Sequence, residues 1–235
     1  MTVLEWGHWR WKEKMLKVVI FDSGYGGELF ADLLEEVIPV VEVIRVIDWR
    51  NADEILSSAK AARKVAEKAL KPYIGKVDLI VFANYLLSAT SLKYFNHKYK
   101  NQKFIGLGFK KPDTFIKKDL IILTTKAVAR TLAYRKFVFQ LDRKVKTVTL
   151  DTWPGLIDDG ELSDQEIHMT IDESITNGHI QPEEMILACS QFNDIKSEIK
   201  KGFDRKFKIY DGFNDAIREV CKILKIRGTL SKLKT

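Results

Sequence analysis

Residues 17–27 read Lys17-Val18-Val19-Ile20-Phe21-Asp22-Ser23-Gly24-Tyr25-Gly26-Gly27. Four consecutive apolar residues run into an acid, a serine and three glycines. Glu28–Val37 then sets Leu29, Leu33, Leu34 and Val37 at helical spacing. An unbroken apolar run fits a strand covered on both faces, and the change of period marks a strand–turn–helix unit. Backbone N–H groups in such a glycine-rich turn can approach an anion at the helix N-terminus. A plain connecting turn is the other reading of the same residues.

The unit recurs along the chain. Strands are expected at 17–21, 41–47, 77–82, 104–107, 120–123, 145–150, 184–188 and 206–210. Ala52–Leu70 carries Ile55, Ala59, Val65 and Leu70 at helical spacing, and Ser163-Asp164-Gln165-Glu166 is a capping box that starts another helix. Alternating strands and helices predict an α/β fold with parallel sheets and helices on both faces. The spacing from Asp22 to Ala83 nearly equals that from Thr125 to Cys189, so each half delivers two polar strand-to-helix turns. Ligands of open α/β sheets bind outside the carboxyl ends of strands. Two such halves facing each other would share a cleft.

Composition narrows the class. The 235 residues are 46% hydrophobic and 30% charged, which suits one large domain or two small ones. Lys and Arg outnumber Asp and Glu by 39 to 32, a net charge of +7 without any long basic block, so no nucleic-acid partner is expected. No apolar stretch is long enough for a membrane span. Two cysteines, Cys189 and Cys221, make no disulfide framework, and a reducing cytoplasm is the expected compartment. His168 and His179 lack zinc spacing, and no metal site is expected. Asn96–Lys103 reads as a solvated helix end rather than a strand-binding surface. Residues 1–14, with Trp6, Trp9 and Trp11, read as a surface arm or as sequence upstream of a start at Met15.

The segment Asp22-Ser23-Gly24-Tyr25-Gly26-Gly27 resembles the Asp-Ser-Gly-x-Gly-Gly motif of glutamate racemases, in the cofactor-independent aspartate/glutamate racemase superfamily. Further segments agree in order: Asp78–Asn84, Leu123–Tyr134, Pro154–Gly160, Met185–Phe192 and Ile209–Gly212. The resemblance implies two pseudosymmetric α/β domains with the active site between them. The first would be 15–110 joined by 209–235, the second 111–208, with a hinge near Lys110-Lys111-Pro112-Asp113. It implies no cofactor, a small carboxylate or amino-acid ligand, and a homodimer.

Racemisation removes a Cα proton from one face and returns one to the other, and in the family two cysteines do this. A thiol of pKa ~8.5 becomes a base when a helix N-terminus or an oriented partner favours the thiolate. Cys189 matches the second cysteine, with Ser190-Gln191-Phe192 expected to open a helix there. Ala83 stands where the first would be. Tyr85, Val128 and Gln191 replace a threonine, a threonine and a histidine of the family pattern. Asp22 and Asp158 match the two cysteine-assisting acids. Ser23, Asn84, Thr125, Ser190 and Gln191 match substrate-binding positions. Trp49, Tyr85 and Val128 would narrow the pocket. Cys221 lies on an amphipathic helix and reads as core.

Three readings follow. In the first, Tyr85 or Asp22 replaces the missing thiol and the protein is a racemase of an acidic amino acid. In the second, Cys189 works alone, as in the arylmalonate decarboxylases of the superfamily. In the third, the cleft binds a carboxylate without catalysis.

Overall fold

A computed structural model describes residues 15–109, 119–202 and 208–226. The 1–14 arm and the hinge near residues 110–113 lie outside them. The opening apolar run forms β1 (Leu16–Asp22), buried from Val18 to Asp22. It leads through α1 (Tyr25–Val37) to β2 (Val41–Ile47). A 3-10 turn (Trp49–Asn51), α2 (Ala52–Ser57) and α3 (Ala59–Leu70) carry the chain to β3 (Leu79–Phe82). Then α4 (Tyr85–Lys98) leads to β4 (Phe104–Gly106).

The second half begins with β5 (Asp119–Thr124), α5 (Lys126–Ala129), α6 (Leu132–Phe139) and β6 (Val145–Thr149). It continues with α7 (Trp153–Asp158), α8 (Asp164–Gly178) and β7 (Pro182–Ala188). A second 3-10 turn (Gln191–Asn193) and α9 (Lys196–Lys201) precede β8 (Lys208–Asp211) and α10 (Phe213–Leu224).

The strands form two four-stranded sheets, ordered β2-β1-β3-β4 and β6-β5-β7-β8, with every pairing parallel. The second order repeats the first with each number raised by four. Alternate strand residues divide the core between sheet faces. Val19, Phe21, Ile80 and Phe82 pack under α3 and α4, while Ile121, Leu123, Met185 and Leu187 pack under α7, α8 and α9. The other faces, Val18, Ile20, Leu79 and Val81 of one sheet and Leu120, Ile122 and Ile186 of the other, belong to one continuous apolar cluster that spans both halves.

Three expectations are corrected. The sequence reading puts the last strand with the first unit, but β8 pairs with β7 in the second sheet. Only α10 returns to the first half: Phe213 meets Phe30 of α1 edge-on at 5.1 Å, and Ala216, Ile217 and Val220 join the shared cluster. The helix expected over 52–70 is two, because Ser58 is extended and its Oγ accepts from the Ala61 N–H, starting α3 afresh. Finally, Ser190-Gln191-Phe192 leads into a three-residue 3-10 turn, not a helix. Ser163 does cap α8, its Oγ accepting from the Glu166 N–H at 3.2 Å, and Cys221 is buried in the core.

Candidate active site

Asp22 ends β1 and is fully buried. Its Oδ1 accepts from the Ser23 N–H at 2.7 Å and from Asn84 Nδ2 at 2.8 Å. Its Oδ2 accepts from Ser190 Oγ at 3.0 Å, a bond that crosses from one half of the molecule to the other. Burial pushes the carboxyl up to about 7, against the opposing pull of those three donors, and the nearby Asp158 charge adds to the rise.

Asn84 occupies the position after β3 and is shared between two tasks. Its Oδ1 caps α4 by accepting from the Leu87 N–H, while its Nδ2 holds Asp22 and lies 3.4 Å from Ser23 Oγ. Ala83, beside it, is buried, and its N–H donates to the Phe21 carbonyl.

Across the interface, β7 ends at Cys189. The thiol donates to Gln191 Oε1 at 3.1 Å, and the same oxygen lies 3.1 Å from Ser190 Oγ. Burial pushes this thiol up to about 12. The Gln191 and Phe192 N–H groups favour the thiolate, whereas the charges of Asp22 and Asp158 oppose it. The expected depression by a helix N-terminus is therefore reversed: burial outweighs the Gln191 and Phe192 N–H groups, and a 3-10 turn rather than a helix follows.

Asp158, at the end of α7, closes the arrangement. Its Oδ1 accepts from the Tyr25 N–H at the start of α1 at 3.2 Å, and the Gln191 amide hydrogen-bonds it as well. The anion expected at this helix N-terminus is thus supplied by the protein itself. Its own carboxyl is raised, chiefly by burial.

Two glycines make the contact between halves. A Cβ on Gly26 would lie 2.3 Å from Ser190 Cβ, and one on Gly24 would lie 2.3 Å from Gln191 Nε2. Their value here is close approach, a role that reading them as an anion cradle misses. The signal for it in the sequence is the bare fact that three of the four residues Gly24-Tyr25-Gly26-Gly27 lack side chains.

Other expected site residues stand apart from this network. Tyr85 is buried at the start of α4 with its ring against Phe109, and its hydroxyl accepts from the Gly212 N–H. Burial drives its pKa further above the ordinary phenol value, so it is worse suited to be a base than its residue type suggests. Thr125 caps α5, its Oγ1 accepting from the Val128 N–H at 3.4 Å. Trp49 is 46% exposed and Val128 is buried. The Asn96–Lys103 segment is a helix end whose Lys98 pairs with Glu67 at 2.5 Å, with Tyr94 also bound to that carboxylate. Among the described residues no cluster of metal-ligating side chains occurs, and no helix is long and apolar enough to cross a membrane.

Neither a protein-family model nor a curated protein sequence matches the chain. Solved structures do match in fold. The Escherichia coli glutamate racemase, in complex with L-glutamate and the activator UDP-MurNAc-Ala, superposes with a TM-score of 0.78 at 15% identity, over 91% of this chain and 84% of its own. The Picrophilus torridus aspartate racemase gives 0.61 at 15% identity, over 89% and 93%. The Klebsiella pneumoniae allantoin racemase gives 0.58 at 14% identity, over 94% of each. The two parallel sheets are therefore assembled in the fold shared by glutamate, aspartate and allantoin racemases.

Proposed function

We propose that this protein is a cofactor-independent acid/base catalyst of the glutamate/aspartate racemase type. It moves the proton on the carbon next to a carboxylate, with Asp22 in place of the missing first thiol and Cys189 on the opposite face. The observation that carries this reading is the Asp22 carboxyl: buried, raised to about 7, and hydrogen-bonded across the halves to the turn that holds Cys189. A general base works best with a pKa near the operating pH. Tyr85 is set aside because its hydroxyl is turned to Gly212 and its pKa is raised.

In this mechanism the ionised Asp22 takes the Cα proton, and the electron pair delocalises into the substrate carboxylate. The Cys189 thiol then donates a proton to the other face, leaving a thiolate. When product leaves and the cleft opens to solvent, Asp22 gives up its proton and the thiolate takes one up, which resets the pair. Ser23, Asn84 and Ser190 are proposed to hold the substrate carboxylate, which replaces the Ser190–Asp22 hydrogen bond when it enters. Asp158 and Gln191 fix the thiol turn against α1.

The test is α-proton exchange by NMR in heavy water with aspartate, glutamate and a neutral amino-acid panel, chirality being followed in parallel. Exchange with inversion that Cys189→Ser abolishes supports the reading, and exchange with retention assigns the work to one group. Binding without turnover is the second reading, favoured by the Cys189 thiol at about 12. Its signature is a carboxylate that binds in the cleft without losing its α-proton.

A further inference from the structure

Ser190 sits between the two groups assigned to proton transfer. Its Oγ lies 3.0 Å from Asp22 Oδ2 and 3.1 Å from Gln191 Oε1, and that Oε1 is also the acceptor of the Cys189 thiol at 3.1 Å. A hydroxyl has one proton to give, so it serves one of these acceptors at a time. Ser190 is 2% exposed and Asp22 is 0% exposed, so water does not readily substitute for either partner. We infer that Ser190 is a positioning residue that couples the protonation of Asp22 to that of Cys189, by turning its single proton between the carboxylate and the Gln191 carbonyl.

The two settings have opposite effects on the thiol. With Asp22 ionised, Ser190 donates to it, and Gln191 Oε1 accepts from the thiol alone, which favours S–H. With Asp22 protonated, the carboxyl donates to Ser190 Oγ, and the serine proton swings to Oε1 and competes with the thiol. Gln191 Oε1 has two lone pairs and accepts from both, but sharing it with the hydroxyl weakens the hydrogen bond that holds S–H, and the thiolate is easier to form. Direct charge acts in the same sense, because an ionised Asp22 disfavours a thiolate. The groups facing this set are Asp158 from α7, which bears on both Asp22 and Cys189, and Tyr85 from α4, whose hydroxyl feels the Cys189 thiolate. For a proton-transfer pair the effect, in the free protein before a substrate carboxylate takes the Ser190 hydroxyl, is that ionisation of one group discourages ionisation of the other. That consequence rests on the function proposed above, whereas the coupling is measurable without any substrate.

The experiment follows Cys189 alkylation by iodoacetamide from pH 5 to 10, read on the Cys189 peptide by mass spectrometry so that Cys221 does not enter the signal. The Asp22 carboxyl is titrated in parallel by 13C NMR. In the wild type, log rate against pH is expected to rise, flatten into a shoulder as Asp22 ionises near pH 7, and rise again. Ser190→Ala is expected to shrink the shoulder and to raise the Asp22 titration by about one pH unit, the scale of one lost hydrogen bond to a charged group. Gln191→Met, which removes the shared acceptor from the other side, is expected to shrink the shoulder equally. The double variant should go no further. A shoulder of unchanged size in either single variant overturns the coupling. Absence of α-proton exchange with every amino acid, beside an intact shoulder that the variants remove, would overturn the proposed function and leave the coupling standing.

Discussion

The two halves of the molecule repeat one strand order but bring different chemistry to the same places. In the first sheet β1 pairs with β3 through Phe21 and Phe82, so the next residues, Asp22 and Ala83, end neighbouring central strands. In the second, β5 pairs with β7 through Thr124 and Ala188, so Thr125 and Cys189 take the corresponding places. One half offers an acid beside a methyl group, and the other a hydroxyl beside a thiol. Neither half holds two titratable groups at these positions, but Ser190 reaches across to Asp22 and ties the acid to the turn that carries the thiol. The lesson is that a repeated scaffold fixes positions, while the chemistry on offer depends on which residue stands at each.

The comparison is open to attack at several levels. The most damaging change is expected at the tie between halves. Phe213→Ala should cost about 3–5 kcal/mol of stability by chemical denaturation, since it empties a buried aromatic site against Phe30. Next comes the burial of Asp22. Its folded pKa is raised from 3.8 to about 7, so the folded state holds its proton more tightly than the unfolded chain does. The resulting penalty is absent below pH ~4, grows as pH rises, and is complete above about 7. Wild-type stability is therefore expected to fall relative to Asp22→Asn between pH 4 and 8, and parallel curves for the two proteins would contradict the assigned shift.

Smaller effects probe the contact and the equivalent positions. Gly26→Ala should destabilise by about 1–3 kcal/mol, because the new methyl meets Ser190. The thermal midpoint of unfolding is the check. Thr125→Val should cost about 1 kcal/mol through loss of the α5 cap, and it should leave the Asp22 titration unmoved. If Thr125→Val moved Asp22 as much as Ser190→Ala does, the two halves would be less independent than their chemistry indicates.

Much of this was legible from residue patterns, because buried parallel strands advertise themselves as apolar runs and their polar ends as turns. Val18–Phe21, Leu79–Phe82 and Leu120–Leu123 are strands for that reason. The sheet that β8 joins was not legible, since a four-residue strand carries no local record of its neighbour. The Ser58 cap is hidden in the sequence because the apolar spacing continues past it. At the candidate site, the resemblance to glutamate racemases singled out Asp22, Ser23, Asn84, Tyr85, Thr125, Asp158, Cys189, Ser190 and Gln191, of which Tyr85 and Thr125 stand apart from the hydrogen-bonded network around Asp22. Environment was out of reach: burial, which a sequence does not display, is what lifts Asp22 toward neutrality, raises the Cys189 thiol and unfits Tyr85 as a base.

The most direct test of a proton-transfer pair divided between the halves compares wild type with Asp22→Asn for deuterium incorporation at Cα and change of chirality, in heavy water at pH 7. The expected result is inversion with solvent deuterium in the wild type and a loss of about 100-fold or more in the variant, the scale of one acid/base group. Inversion at an undiminished rate in Asp22→Asn would contradict the assignment of that carboxyl, and with it the division of the chemistry between the two halves.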